Sequence, residues 1–236
     1  HWGEDCVHHF NGDWAFGIVD RQRQKLFLSR DRVGVKPLYT YQRGKAFYFA
    51  SEIKSLFALP EGPDRTYDAT ALHLKVVANT SDYSDATLYR EIRQLPGGHR
   101  AMVDLASGAV KVEPWWTPEI NTSREPFDEA KAKTYAEEIH ANLEDAVRLR
   151  LRSDVPVGTC LSGGIDSSAI VAIVAGLQGR KGGDLNGLRT FTAAYPGDAI
   201  DEEKWARSVI DQMPCEPHFV YPKVNEFADD LDDLLG

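Results

Sequence analysis

The string Val157-Gly158-Thr159-Cys160-Leu161-Ser162-Gly163-Gly164-Ile165-Asp166-Ser167-Ser168 constrains the fold more than any other part of the chain. A short apolar run over 155–161 meets a glycine turn at 162–166, and an apolar helical stretch follows over 167–177. A strand that feeds a helix through a tight turn is the unit from which parallel sheets are built. The alternation continues: 188–195 reads as strand, 201–213 as helix, 217–221 as strand and 225–235 as helix. Ahead of it, Ile139, Leu143, Val147 and Leu151 recur every four residues, one face of a helix over 128–152. The expectation is an α/β layer from about residue 128. Residues 157–161, 189–195 and 218–221 should be parallel in one sheet.

The loop has its own chemistry. A helix N-terminus presents unpaired backbone N–H groups and the positive end of the helix dipole, so it favours an anion. Gly163 and Gly164 allow unusual backbone angles and leave no Cβ in the way of an approaching phosphate. Ser162 and Ser167 offer hydroxyls, and Asp166 could hold a cation that bridges phosphate oxygens. The spacing is neither G-x-x-x-x-G-K-[ST] nor G-x-G-x-x-G. The bland alternative is a capped turn whose glycines only pack. Against it stands the loop's place at the C-terminal end of a strand, where open α/β sheets bind ligands.

The first half is patterned differently. Residues 14–20 and 25–31 are apolar runs joined by a charged turn, 21–24, and 37–41 and 46–51 form a second pair around Gly44. β-branched and aromatic residues between polar turns are hairpin signals. About four strands in an antiparallel meander are expected, then a short helix over 52–59 stopped by Pro60. A helix over 69–77 follows, with Asp68 as its N-cap. Another hairpin, 99–105 with 109–115, turns at Ser107-Gly108. Pro114, Pro118 and Pro126 punctuate a polar stretch, 117–127, expected to be a linker. The domains are therefore placed at 1–118 (core to about 66, an extension after it) and 128–236, with 119–127 between them.

Composition narrows the function classes. The net charge is −9, and it is uneven: residues 1–118 carry 15 basic and 14 acidic side chains, residues 119–236 carry 12 and 22. No basic patch suits duplex nucleic acid, so no nucleic-acid partner is expected. No run of about 20 apolar residues exists, so no membrane span is expected. Residues 229–233 read as a solvated helix face. Cys6, Cys160 and Cys215 are odd in number and form no CxxC. Reduced, mostly buried thiols and a cytoplasmic location are expected. The Asn79 and Asn121 sequons read as chance matches, and the adjacent His8 and His9 as no metal pair, because neighbours on a helix point apart. The chain begins at His1 rather than Met and stops just after an amphipathic stretch. Both ends are expected to be cuts through a longer protein.

Ser162-Gly163-Gly164-Ile165-Asp166-Ser167-Ser168 resembles the pyrophosphate loop of the ATP pyrophosphatase superfamily. Preceded by Ser153-Asp154-Val155-Pro156-Val157-Gly158, it is similar to that of the glutamine-dependent asparagine synthetases. The upstream half agrees independently. Phe10-Asn11-Gly12-Asp13-Trp14-Ala15-Phe16-Gly17-Ile18-Val19-Asp20, Ser29-Arg30-Asp31-Arg32-Val33-Gly34-Val35-Lys36-Pro37-Leu38-Tyr39 and Phe49-Ala50-Ser51-Glu52-Ile53-Lys54-Ser55-Leu56 resemble the C-terminal half of that family's glutaminase domain. Ile92-Arg93-Gln94-Leu95-Pro96-Gly97-Gly98-His99 resembles the segment before its linker.

The resemblance implies an α+β / α/β chain: a partial N-terminal-nucleophile antiparallel sheet domain, then a partial parallel-sheet ATP pyrophosphatase domain of the adenine nucleotide α-hydrolase-like kind. It implies a ligase that makes L-asparagine from L-aspartate, ATP and glutamine-derived ammonia through β-aspartyl-AMP, releasing AMP and pyrophosphate. Position by position it assigns Ser162, Gly163, Gly164, Asp166 and Ser167 to pyrophosphate and Mg²⁺, with Asp166 the metal contact. Leu161 matches a backbone contact to the nucleotide. Ala193 sits at an adenine contact where the family more often has a larger aliphatic residue. The family's glutaminase nucleophile and oxyanion donors correspond to positions upstream of His1, so no catalytic residue is assigned and the isolated chain is expected to be inactive. Partners are small molecules, aspartate, glutamine and ATP, with a homodimer of the full-length parent as one expectation. Two alternatives stand beside this. One is a related synthetase acting on another acid, such as a β-lactam or peptide cyclase or a saccharide amidotransferase. The other is a non-catalytic nucleotide-binding module.

Overall fold

A computed structural model of the chain describes residues 1–81, 84–180, 188–213 and 215–223. It divides into two compact units, His1–Ser123 and Arg124–Gly236.

The first unit holds two antiparallel sheets. One has the order β1-β2-β6-β7, with β1 Ala15–Asp20, β2 Lys25–Arg30, β6 His99–Asp104 and β7 Val110–Pro114. The other has the order β4-β3-β5, with β3 Tyr39–Arg43, β4 Ala46–Ala50 and β5 Ile92–Gln94. The expected hairpins form, with Ala15 opposite Arg30 and Tyr39 opposite Ala50. The expected single meander does not form, because the two hairpins belong to different sheets. The physical reason is at β2. One edge of it is taken by β1 and the other by β6, which brings Val103 opposite Leu26, so no edge is left for β3. Leu26 and Leu28 then pack between the sheets with Leu38, Leu95, Ala101 and Val103. Phe27, on the other face, packs with Val7 and Trp115. The sheets approach closely at Gly17: a Cβ there would lie 2.8 Å from the Phe49 ring.

The chain leaves β2 through a turn organised by Asp31, which is 1% exposed. Its carboxylate accepts the N–H groups of Val33, Val35 and Lys36 at 2.9–3.2 Å. The Arg30 guanidinium donates to the carbonyls of Gly34, Lys36 and Leu95. Burial pushes the Asp31 carboxyl up, but the backbone N–H groups outweigh it and hold it below the usual carboxylate value. A lowered folded pKa gives stability that is complete above the unfolded value of about 3.9 and is lost as the pH falls through the folded one. Asp31→Asn is therefore expected to cost about 1–3 kcal/mol at pH 7. That gap should narrow as the pH drops below about 4. Four of the five tryptophans, Trp2, Trp14, Trp115 and Trp116, lie in this unit, so tryptophan-detected urea unfolding reads it. A gap independent of pH would contradict the assignment.

A 3-10 helix, Gly3–His9, and two short α-helices, α1 Ile53–Phe57 and α2 Ala69–Ala78, also belong to the unit. Asp68 caps α2 as expected, accepting from the N–H groups of Thr70 and Ala71. Asn79 ends it in the left-handed region, at φ 46°.

The second unit is a three-stranded parallel sheet of order β10-β9-β8, with β8 Gly158–Cys160, β9 Arg189–Ala193 and β10 Glu216–Val220. The three expected neighbours are thus parallel. Its helices are α3 Glu129–Arg150, α4 Ile165–Arg180 and α5 Glu203–Ile210. Val147, Leu161, Val171, Val174, Leu188 and Ala206 form its core. The stripe on α3 is buried over a shorter length than its period suggests. Leu143, Val147 and Leu151 pack on the core, whereas Ile139 is 66% exposed. The helix expected over 225–235, with the solvated face at 229–233, lies outside the described residues. Cys160 is exposed and Cys6 and Cys215 are half-buried, which corrects the expectation of mostly buried thiols. His8 and His9 pack against Trp115 and Trp2, respectively. Among the described residues no helix is long and apolar enough to cross a membrane.

Candidate functional site

The loop after β8 is anchored at its strand end. Leu161 is buried at the end of the strand. Its N–H donates to the Phe191 carbonyl at 2.9 Å, and its carbonyl accepts the Thr192 hydroxyl at 2.6 Å. Both main-chain groups are therefore engaged by β9, which leaves only the second lone pair of the carbonyl for a nucleotide. Thr192 was not legible as a loop residue from sequence.

Ser162 and Ser167 meet across the turn. Their hydroxyl oxygens are 3.1 Å apart, the Ser162 N–H donates to Ser167 Oγ at 3.3 Å, and the Ser167 hydroxyl donates to the Gly164 carbonyl at 3.2 Å. The Gly164 N–H donates to Ser162 Oγ at 3.3 Å. These are long bonds, weaker than ones near 2.9 Å, and phosphate oxygens can replace them. The N–H groups of Gly163, Ile165, Asp166 and Ser167 meet no acceptor among the described residues. Those of Ile165, Asp166 and Ser167 are the orphan donors of the first turn of a sixteen-residue helix, and that of Gly163 lies two residues ahead of it.

The two glycines do different work. Gly163 has φ 81°, and a Cβ there would lie 2.4–2.5 Å from the backbone of Trp205 and Ala206. Only glycine fits between the loop and α5. Gly164 is exposed, has no positive φ, and would place a Cβ near nothing but Ser162 Oγ, at 3.3 Å. Its open side faces solvent.

A cleft of about 430 Å³ lies at the C-terminal ends of the strands, lined by residues that include Leu161, Ser162, Ala193, Tyr195, Ile200 and Glu202. Its volume is in the range of small-molecule sites. It gathers three of the expected residues, Leu161, Ser162 and Ala193. Gly163, Gly164, Asp166 and Ser167 do not line it, and they adjoin it through Ser162. Tyr195, Ile200 and Glu202 were missed by the sequence reading, which had no signal for which side of the strand ends they would take.

Asp166 is an exposed carboxylate on the first turn of α4, with no hydrogen bond or ion pair to a described residue. Among the described residues, no group of three or more His, Cys, Asp and Glu could hold a metal by itself. That donor set fits Mg²⁺ of the nucleotide-borne kind, which takes one or two carboxylates and leaves its other positions to phosphate and water.

Residues 1–116 match the model of a glutamine amidotransferase domain, and residues 138–236 that of asparagine synthase. A provisionally named asparagine synthetase (glutamine-hydrolyzing) of Methanocaldococcus jannaschii is 36% identical over 98% of this chain and 42% of that protein. An asparagine synthetase (glutamine-hydrolyzing) of Bacillus subtilis is 36% identical over 82% of this chain and 30% of its own length. A protein of Penicillium rubens named amidase chyE is 30% identical over 100% of this chain and 35% of its own. The chain thus spans about two-fifths or less of the length of these relatives.

Proposed function

We propose, for a chain that belongs to the asparagine synthase family and carries a glutamine amidotransferase domain ahead of it, that it is part of an ATP-dependent amidotransferase making L-asparagine from L-aspartate and glutamine. The β-carboxylate oxygen of aspartate attacks the α-phosphorus of ATP, and the bond to pyrophosphate breaks. Ammonia released from glutamine attacks the acyl carbon of the β-aspartyl-AMP, loses a proton, and AMP leaves. A carboxylate is a poor electrophile, and adenylation gives it a good leaving group.

The observation that carries this reading is the row of orphan N–H groups at the start of α4, beside a cleft at the ends of parallel strands. Donors fixed before the reaction stabilise charge as it builds on departing pyrophosphate. The hydroxyls of Ser162 and Ser167 are within reach of the same oxygens once their mutual bond opens. Asp166 would hold Mg²⁺. The ion, when bound, would offset phosphate charge. Leu161 and Ala193 would border the adenosine.

The full-length protein, given aspartate, glutamine and ATP, is expected to form asparagine with one AMP and one pyrophosphate per turnover. ADP and phosphate as products would overturn the adenylation step. The isolated chain is expected to release no glutamate from glutamine. Cys6 packs half-buried against the Val7, Phe27 and Trp115 cluster and is not placed as a nucleophile. Glutamate release that vanishes in Cys6→Ser would contradict this. A second reading keeps the adenylation and changes the acid, and the similarity to a protein named an amidase favours it. Replacing aspartate by other carboxylic acids in the AMP-release assay separates the two.

A further inference from the structure

We propose that Asp201 is a positioning residue for the phosphate loop, acting through α5; the purpose of that positioning rests on the nucleotide reading above. Asp201 sits one residue before the N-cap of α5 and is half-buried. One oxygen of its carboxylate, Oδ1, accepts two N–H groups: that of Tyr195, just past β9, at 3.0 Å, and that of Glu203, the first residue of α5, at 3.2 Å. The N-cap residue itself, Glu202, makes no side-chain cap. The Asp201 carboxylate therefore does the work of a cap, and it ties the start of the helix to the exit of the strand that bears Ala193.

The held helix is the wall of the loop. The backbone of Trp205 and Ala206, in the first turn of α5, lies where a Cβ on Gly163 would go, 2.4–2.5 Å from it. Ala206 is fully buried there. Neither side of this contact has a flexible side chain to absorb a shift, so a displacement of α5 is passed to Gly163 and from it to the first turn of α4. Side chains of α5 are also held, by the end of β10 and the residue after it. The Tyr221 hydroxyl donates to Glu203, and Arg207 lies over the Phe219 ring at 4.4 Å. Loss of the Asp201 contacts thus uncouples the first turn of the helix from the exit of β9, while Tyr221 and Phe219 keep the helix attached to the segment of β10 and beyond.

The geometry also says what the carboxylate is for. Both bonds use a single oxygen as acceptor, so a neutral amide in the same place can make them. Asp201→Asn should preserve the positioning and Asp201→Ala should lose it.

The test uses the full-length protein, with aspartate-dependent ATP–pyrophosphate exchange and amide hydrogen exchange of the segment 161–168. Asp201→Ala is expected to raise KM for ATP about tenfold and to speed hydrogen exchange of the loop. Asp201→Asn is expected to stay within about threefold of the parent in KM, with loop exchange unchanged. Equal impairment of both variants would mean that the charge is needed, and would overturn positioning in favour of a ligand contact. Unchanged loop exchange in Asp201→Ala would overturn it outright. Faster loop exchange in Asp201→Ala with an unchanged KM would uphold the coupling through α5 and count against the nucleotide reading instead.

Discussion

Gly163→Ala is expected to unfold or severely loosen the second unit, whereas Gly164→Ala, one residue along, is expected to leave it intact. At Gly163 two costs add. The residue has φ 81°, a region that costs a non-glycine residue roughly 1–3 kcal/mol. The new methyl would also lie 2.4–2.5 Å from the backbone of α5, and such overpacking costs about 1–3 kcal/mol more. Together, about 2–6 kcal/mol is a large share of the 5–15 kcal/mol that typically holds a domain together. At Gly164 φ is ordinary and a new Cβ would crowd only the Ser162 hydroxyl, at 3.3 Å, which can give way by turning. Alanine there should be neutral, or stabilising by up to about 1 kcal/mol through the unfolded chain. Its effect should instead be on ligand approach, because Gly164 is the open side of the loop. Urea titrations followed by far-UV circular dichroism measure both. Equal stability of the two variants would mean that α5 does not press on the loop as described.

The second large effect is on chemistry. Asp166→Asn in the full-length protein is expected to lower aspartate-dependent ATP–pyrophosphate exchange about ten- to a hundredfold. This is the loss of one charge-assisted contact worth about 1.5–3 kcal/mol. The fold should barely notice. Asp166 is exposed and bonds to no described side chain, so only its interaction with the helix dipole is lost, about 0.3–1 kcal/mol. A merely structural turn predicts the reverse pattern, a lower melting temperature with exchange near normal. Both assays on one preparation distinguish the two.

Much of this was legible in the sequence, because it is local. The hairpins over β1–β2, β3–β4 and β6–β7, the Asp68 cap and the strand–loop–helix unit all follow from periods and turn residues within a few positions. What was not legible is non-local. Which sheet each hairpin joins is decided when β6 takes the free edge of β2, more than 70 residues away. β5 has three residues and exists only because Ile92 finds Tyr41. The apolar stripe of α3 runs past the surface it can cover, so Ile139 is left in solvent. At the site, the sequence pointed to the glycines without separating their roles. That required the position of α5, which the string around Gly163 does not encode. Thr192, which fixes the Leu161 carbonyl, sits on a strand more than 30 residues downstream. Asp201 read as the first residue of a helix over 201–213, whereas α5 begins at Glu203 and the link from Asp201 to the loop is tertiary.

The central claim is that the start of α4 is where ATP phosphates bind. The most direct measurement is a crystal structure of the full-length protein with ATP and Mg²⁺ in the absence of aspartate. The β- and γ-phosphate oxygens are expected within hydrogen-bond distance of the backbone N–H groups of residues 163–167. Ser162 and Ser167 should be turned from each other toward the phosphate, and the adenosine should lie in the cleft beside Ala193. Phosphates bound elsewhere, with the Ser162–Ser167 pair still closed on itself, would contradict the account.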